Sequence, residues 1–368
     1  MKVFRRLIPC MAATVAITTL AACGGDDEPD GAAGGANAVE TAINYTGADR
    51  EAHLYDCAKK EGKLTWYTSS SAVKKLLKPA LEEKYPGVTV DIFEATTDLV
   101  QRLVEEENAG RHNFDIYGDI HGNLERTDKY FAKFTSPKAE GLRPELSNDY
   151  FVGVNGFIMG AAYNPTIVKP EEAPKSYQEM ADPKWKGKVF GAIDTTTPIT
   201  FGVVKAKYGE DFLKTLSQNV LVQEGVSSRG VADLVIAGEA PIGWGISSSY
   251  QKSDAINKKA NFQWFPLDPM VATFSTYSIS KSAPHPCSAA LAVDWLLDKD
   301  NGQKIWQEQG NASPFADQPI LPFELEGTDP STWQIVYGTD PEVVKEFGSY
   351  REAASEWGDE FRNIFIRN

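Results

Sequence analysis

The polar and apolar positions change rhythm along the chain. Lys2, Arg5 and Arg6 precede one unbroken apolar run, Leu7 to Leu20. That run suits the core of a signal peptide and is too short to span a bilayer stably. Past residue 48 the pattern turns to short blocks. His53 to Glu61 predicts a helix stopped by Gly62, and Lys63 to Thr68 predicts a strand. Val73, Leu76, Leu77 and Leu81 fall at helical spacing within Ala72 to Tyr85, and Pro86-Gly87 ends that helix. Val88 to Phe93 and Phe114 to Tyr117 predict two more strands, with an amphipathic helix over Asp98 to Ala109 between them. Strand, helix, strand, helix, strand is the signature of an α/β unit with a parallel sheet.

A second unit follows. Val154 to Tyr163, Lys188 to Ile193 and Ala240 to Ile246 predict strands. Pro198 to Tyr208, Asp211 to Gln218 and Gly230 to Ala237 predict helices. Phe262 to Phe265 is again extended, Thr273 to Ser280 crosses back, and Ser288 to Leu297 is a strongly apolar helix. The region from Trp333 is amphipathic and helical, and no internal repeat is visible. With 368 residues and 42% hydrophobic positions, the chain exceeds one typical domain and can fill two cores.

Composition adds a compartment. Leu20-Ala21-Ala22-Cys23 resembles a bacterial lipobox, in which the Cys becomes the lipid-modified first residue of the mature protein; a plain secretory cleavage near Ala22 is the alternative. Residues 1–22 then form the signal peptide, and residues 23–48, opening with the Gly-, Ala- and Asp-rich stretch Gly24 to Ala38, read as a flexible tether. The net charge of −14 argues against nucleic acid, whose binders need a basic face. Of four cysteines, Cys10 lies in the signal and Cys23 at the lipid site. Cys57 and Cys287 remain as an even pair in an oxidising space, expected to be bridged, with two separate buried thiols as the alternative.

Hydroxyl-rich or aromatic turns recur at the carboxyl ends of the expected strands: Tyr67 to Ser71 with Ser69 and Ser70, Thr96-Thr97, Thr195-Thr196-Thr197, and Ser247-Ser248-Ser249-Tyr250. In open α/β sheets, ligands bind beyond those ends, where helix N-termini offer unpaired N–H groups. Each turn could equally cap its own helix; four together point to a ligand.

The segments in their order resemble a family. They are Gly62-Lys63-Leu64-Thr65-Trp66-Tyr67-Thr68, then Ala162-Tyr163-Asn164-Pro165, then Asp182-Pro183-Lys184-Trp185-Lys186-Gly187-Lys188-Val189. Gly238-Glu239-Ala240-Pro241-Ile242 and Ala283-Pro284-His285-Pro286 follow. They are similar to the periplasmic-type solute-binding proteins of bacterial ABC importers, the cluster of ferric-iron, phosphonate, sugar-phosphate, polyamine and thiamine binders. The resemblance covers roughly residues 50–310. It implies the type II-like periplasmic-binding-protein fold: two α/β lobes, each a mostly parallel sheet flanked by helices, joined by crossover strands and clamping a ligand between them. Lobe one would hold 49–150 and 264–315, and lobe two 151–263 and 316–368. The Cys57–Cys287 bridge would then staple two helices within lobe one. A cognate ABC permease is the implied partner, the chain acting as a lipid-anchored monomer.

The resemblance leaves the ligand open. Ferric iron wants anionic oxygen donors, and iron-binding relatives carry adjacent tyrosines after the strand ending here near Ile246. This chain has Tyr250 alone there, with Tyr163 in the Tyr-Asn-Pro element. Hydroxyls in place of tyrosinates suit a phosphonate, phosphate ester or carboxylate, with ferric iron as the alternative. Arg229 is a candidate anchor for the anion or a solvated helix-end cation. Asp119 and His121 follow the third strand, and Asp119 could meet an amino group. Tyr67 and Tyr277, with Trp66 and Trp244, could wall an organic body, although Trp66 and Trp244 sit where core residues are expected. There is no Gly-x-Ser-x-Gly, His-Glu-x-x-His, Walker loop or Cys-x-x-Cys, and the four histidines are scattered. Neither an enzyme, a cofactor nor a metal centre is expected. An enzyme on the same scaffold and a ligand-sensing surface protein are the rival classes.

Overall fold

The computed structural model describes residues 33–95, 99–120, 127–194, 196–325, 329, 335–337 and 350–366. Cys23 and the signal peptide lie outside them. No helix among the described residues is long and apolar enough to cross a membrane.

Helix α1 (Ala33–Ile43) precedes α2 (Arg50–Glu61) and strand β1 (Lys63–Thr68). A π-helical turn, Val73–Leu77, runs on into α3 (Lys78–Lys84), followed by β2 (Thr89–Glu94), α4 (Leu99–Asn108), β3 (Ile116–Ile120) and α5 (Thr127–Tyr130). Strand β4 (Val152–Tyr163) is long. After it come α6 (Tyr177–Met180), β5 (Val189–Gly191), α7 (Thr197–Tyr208), α8 (Glu210–Leu216), β6 (Val220–Val222), α9 (Ser228–Ala237) and β7 (Ile242–Ser247). The short β8 (Gln263–Phe265) leads to β9 (Met270–Ile279), then α10 (Pro286–Leu297), α11 (Gly302–Glu308), β10 (Ile335–Tyr337) and α12 (Tyr350–Phe365).

The strands join one sheet in the order β2-β1-β3-β9-β4-β7-β5-β6. The outer trios are mostly parallel: β1 pairs with β2 and β3, and β5 with β6 and β7. Between them β4 and β9 run antiparallel to each other and to their outer neighbours, so they are the two crossovers. β8 pairs with the far end of β4, so the return to lobe one starts with β9, after the expected boundary at residue 264.

Two differences in packing matter. The stretch read as tether up to residue 48 is helical from Ala33. Val39 and Ile43 stand four apart, on one face of α1, and are buried in the lobe-one core, while the Asn44 side chain donates to the Lys133 carbonyl at 2.9 Å. The stripe begins at Val39, beyond the Gly- and Ala-rich stretch that suggested a leash. In lobe one, Cys57 and Cys287 are bonded, their sulfurs 1.99 Å apart, joining α2 to α10. Glu61 caps α10, accepting from the Cys287 and Ser288 amides at 3.0 and 2.8 Å. Arg50 reaches Asp294 at 2.6 Å, and Asp115 accepts from the amides of Thr65 and His285, both at 2.7 Å. Lobe two has no disulfide among its described residues, and its remote helix α12 is tied to α7 by one ion pair, Lys205–Glu360 at 2.5 Å. The lobe is sealed by aromatics: Phe361 and Phe365 of α12 stack on each other and pack against Phe201 and Trp244. Each such buried ring is worth about 1.5–3 kcal/mol relative to an exposed one.

Candidate functional site

Register places the site. β3 runs antiparallel to β9, pairing Ile116 with Ile279 and Ile120 with Ser275. Its carboxyl end therefore points along β9 toward lobe two. β7 runs antiparallel to β4, pairing Ile242 with Tyr163 and Ser247 with Met159, so its carboxyl end points toward lobe one. The carboxyl ends of both half-sheets thus face each other over the middle of the crossovers. Along β9, Thr276 (opposite Asp119) and Val271 (opposite Met159) are five residues apart, about 17 Å.

On the lobe-one side, β1 ends at the buried Thr68, whose Oγ1 accepts from the Ser70 amide at 3.1 Å. The Ser69 amide donates to the Gly118 carbonyl at 3.3 Å, and Val73 opens the following helix by donating to the Ser70 carbonyl at 3.1 Å. Ser69 and Ser70 are half-buried and Ser71 is exposed. Among the described residues no protein group engages their hydroxyls. Asp119 is buried beside them and accepts from the Tyr117 hydroxyl at 2.9 Å. Burial first, and then that carboxylate, push the Tyr117 phenol far above its ordinary range.

On the lobe-two side, one residue ties three segments. Asp194 Oδ1 accepts from the Thr196 amide at 2.9 Å and the Thr196 hydroxyl at 2.7 Å. Its Oδ2 accepts from the Ser228 amide at 3.0 Å. One carboxylate thus lies at the N-termini of both α7 and α9, where the helix dipoles favour negative charge. Thr197 Oγ1 accepts from the Asp194 amide at 2.9 Å and donates to the Ala192 carbonyl at 3.2 Å. Ser228 Oγ accepts from the Ser247 amide at 3.1 Å, and the Ser247 and Ser249 hydroxyls meet at 2.8 Å. Beneath the start of α7 lies a cavity of about 10 Å³ between Met159, Thr196, Thr197, Thr200, Trp244 and Phe361, room for one water and not for a solute.

Arg229 is engaged within the protein. It donates to Asp254 Oδ2 at 2.6 Å and to Asp233, and its guanidinium lies 4.8 Å from the centre of the Tyr250 ring. Burial of Tyr250 raises its phenol, with Arg229 opposing, so the group is a neutral phenol at neutral pH.

Ser69, Ser70, Asp119, Thr196, Thr197, Ser247 and Tyr250 therefore lie at the facing strand ends. Thr97, His121 and Thr195 lie outside the described residues. Four expected contacts are turned elsewhere. Tyr67 points to α4, its hydroxyl donating to Glu106 at 2.7 Å. Tyr277 is buried against Trp66, and a Cβ at Gly118 would sit 2.4 Å from its ring. Ser248 is fully buried, its Oγ accepting from the Ile158 amide at 3.2 Å. Tyr163 closes the far end of β4, five residues along β7 from Ser247 and about 17 Å from the gap. Trp66 and Trp244 are core residues, as expected. Sequence reasoning missed Asp194; its only signal was the Asp-x-Thr spacing of a side-chain-capped turn.

A separate pocket of about 390 Å³ lies on the outer face of lobe one, near Tyr85 and Trp295. Its charges are paired within the protein, Arg50 with Asp294 and Lys138 with Asp298. Cys57, Glu61 and Cys287 come within 4.8 Å of one another, but the bonded sulfurs are not thiolate ligands.

The model of one family, described as bacterial extracellular solute-binding protein, matches residues 120–333. An uncharacterised protein of Haemophilus influenzae is 30% identical over 278 residues, spanning 68% of this chain and 77% of that one. Iron-bound HitA from Pseudomonas aeruginosa superposes with a TM-score of 0.65 at 20% identity, over 83% of this chain and 99% of that one. The periplasmic binding protein AfuA from Actinobacillus pleuropneumoniae, with fructose-6-phosphate bound, gives 0.62 at 16% identity, over 83% and 99%.

Proposed function

The chain belongs to the bacterial extracellular solute-binding protein family, and from that premise we infer that it captures a small organic anion between its lobes by hinge closure. The family's members are transport proteins, the extracytoplasmic solute-binding components of ABC importers, and not enzymes. The observation that carries the finer reading is the convergence of the two sets of strand ends over shared crossovers, with serine hydroxyls on the lobe-one side that no described protein group engages. A phosphonate, phosphate ester or carboxylate accepts several O–H and N–H bonds at once and needs no full positive charge to be held. A ligand bridging both lobes stabilises the closed form through the contacts it makes only there. We place lobe one at 33–150 and 266–315, with α1 in its core, and lobe two at 151–265 and 316–368, with β8 on the lobe-two side. Cys23 is the proposed lipid anchor.

Ferric iron is the competing ligand. The two tyrosines singled out for it, Tyr163 and Tyr250, stand at opposite ends of β7, which weighs against a shared cage. A thermal-shift screen of phosphonates, sugar phosphates, carboxylates, polyamines, thiamine and ferric citrate tests the reading, because a ligand that binds only the native state raises the melting temperature by mass action. An upward shift by organic anions is expected. A shift by ferric citrate alone, with a red tyrosinate colour, overturns the anion reading.

A further inference from the structure

The middle of the crossovers holds two buried oxygens that no described group satisfies: Asn155 Oδ1 and Thr273 Oγ1. Orphaned buried polar atoms are rare and each costs on the order of 1–3 kcal/mol. Asn155 pairs with Ser275, and Phe157 with Thr273. Directly opposed residues share a face of the sheet, and so do residues two apart. Asn155, Phe157, Thr273 and Ser275 therefore line one face, with Asn155 and Thr273 at the diagonal spacing of about 7 Å. Phe157 is only half-buried, so this face opens beside it onto the gap. The Asn155 amide nitrogen donates to Asn311 Oδ1 at 3.0 Å, while its oxygen, an acceptor only, receives no hydrogen bond.

Lobe two adds to this. Asp194 already accepts from the Thr196 amide at the start of α7 and the Ser228 amide at the start of α9, so an anion there would meet a carboxylate that holds those two amides. Its Oδ2 receives one hydrogen bond from the protein where a carboxylate oxygen can take two, and Asp194 is half-buried. Asn155 Oδ1 on the floor and Asp194 Oδ2 in lobe two are thus acceptors only, in want of donors, and the Thr273 hydroxyl between them can accept as well as donate, while the hydroxyls of Ser69, Ser70 and Ser71 have no described protein partner.

We propose that the solute binds with a fixed polarity: its anionic group on the serine turn of lobe one, and a hydroxyl or amino donor of the same molecule on Asn155 and Thr273 of the floor and Asp194 of lobe two. This deepens the anion reading and rests on it. The substrate class narrows to anions that also carry a hydrogen-bond donor.

Two matched pairs test it by calorimetry and thermal shift on the mature protein: glycerol 3-phosphate against propyl phosphate, and 2-aminoethylphosphonate against ethylphosphonate. In at least one pair the donor-bearing member binds more tightly. In Thr273→Val that advantage falls by about five- to tenfold, the worth of one hydrogen bond. The same variant without ligand melts no lower than the wild type, because it removes an orphaned oxygen and keeps the side chain's shape. Asp194→Asn serves as a second variant and reduces the advantage most for the amino pair. Equal binding within both pairs overturns the proposal, as does a donor advantage that survives both substitutions, or no binding by any of the four probes. Equal binding within pairs leaves the anion reading standing; a response to ferric citrate alone removes both.

Discussion

In lobe one the two distant segments are held together by covalent and charged clips, whereas in lobe two the distant segment is a single aromatic helix that seals the core. Cys57–Cys287, Glu61 on the N-terminus of α10, Arg50–Asp294 and Asp115 with His285 all join the residues before the first crossing to those after the return. Lobe two leans on Phe361, Phe365 and Trp357 of α12, packed over α7 and β7. Both lobes are closed by a stretch remote in sequence, and each must offset loop-closure entropy. Lobe one does so with a cross-link, which acts on that entropy directly. Lobe two does so mainly with the apolar area of one helix, α12, beside the Lys205–Glu360 ion pair.

The largest effect should come from the clip. Converting Cys57 and Cys287 together to Ser frees a loop with a sequence separation of 230. On chain-entropy grounds the unfolding free energy should fall by about 5 kcal/mol or slightly more, seen as a lower denaturant midpoint. Intact and reduced masses should differ by two hydrogens before the substitution and not after it. Phe361→Ala should come next, at about 3–4 kcal/mol, the usual loss for a buried ring. If the lobes unfold in separate steps, the first change moves the lobe-one transition and the second the lobe-two transition. A single shared transition moved equally by both would show that the crossovers couple the lobes tightly.

Acid should also divide the halves. Burial raises the Asp115 carboxyl in lobe one above its ordinary 3.8, despite the Thr65 and His285 hydrogen bonds that pull it down. Its folded form takes up a proton more readily than the unfolded chain. Its contribution therefore grows as pH falls through the window above 3.8, and is lost as pH rises back through it. Asp254 in lobe two is held below 3.8: burial opposes this, but Arg229, Lys258 and Ser253 outweigh it. Its contribution is complete above 3.8 and is lost as pH falls through its own lower value. Stability measured between about pH 2 and 6 should change slope in opposite senses in Asp115→Asn and Asp254→Asn. Parallel shifts would contradict the assignment.

Most of the elements could be read from apolar spacing, because half-buried helices and strands print their periods directly. Direction could not. The expected turns follow the carboxyl ends of β1, β3 and β7, and the register makes those ends face one another. Tyr163, however, also ends a strand, and β4 is an antiparallel crossover whose carboxyl end points away. Tyr67 failed for a smaller reason: it alternates onto the α4 side of β1, one residue before Thr68. α1 was hidden because its apolar stripe is two residues deep, Val39 and Ile43, behind a Gly- and Ala-rich start. Asp194 was hidden because a single acid between a strand and a threonine run has no period at all, and its importance lies in reaching Ser228, 34 residues on.

That last point bears on Arg229, where the smallest effect is expected. From sequence, an arginine after Ser227-Ser228 at the start of a helix is a natural anion anchor. In the structure its two arms go to Asp254 and Asp233, and its plane covers Tyr250. An anion would have to compete with two carboxylates for a guanidinium they already neutralise. Removing both lobe-one hydroxyls, in Ser69→Ala with Ser70→Ala, should weaken an organic anion by about tenfold, the worth of one to two hydrogen bonds. Arg229→Ala should change affinity by less than about threefold and act mainly on stability, because it leaves the buried Asp254 carboxylate with only Lys258 and the Ser253 hydroxyl among the side chains that now hold it. Isothermal titration of both variants with one anion decides between them. A loss at Arg229 larger than at the serine turn would mean that lobe two, not lobe one, takes the charge, and that the carboxylates around Arg229 release it when the gap closes.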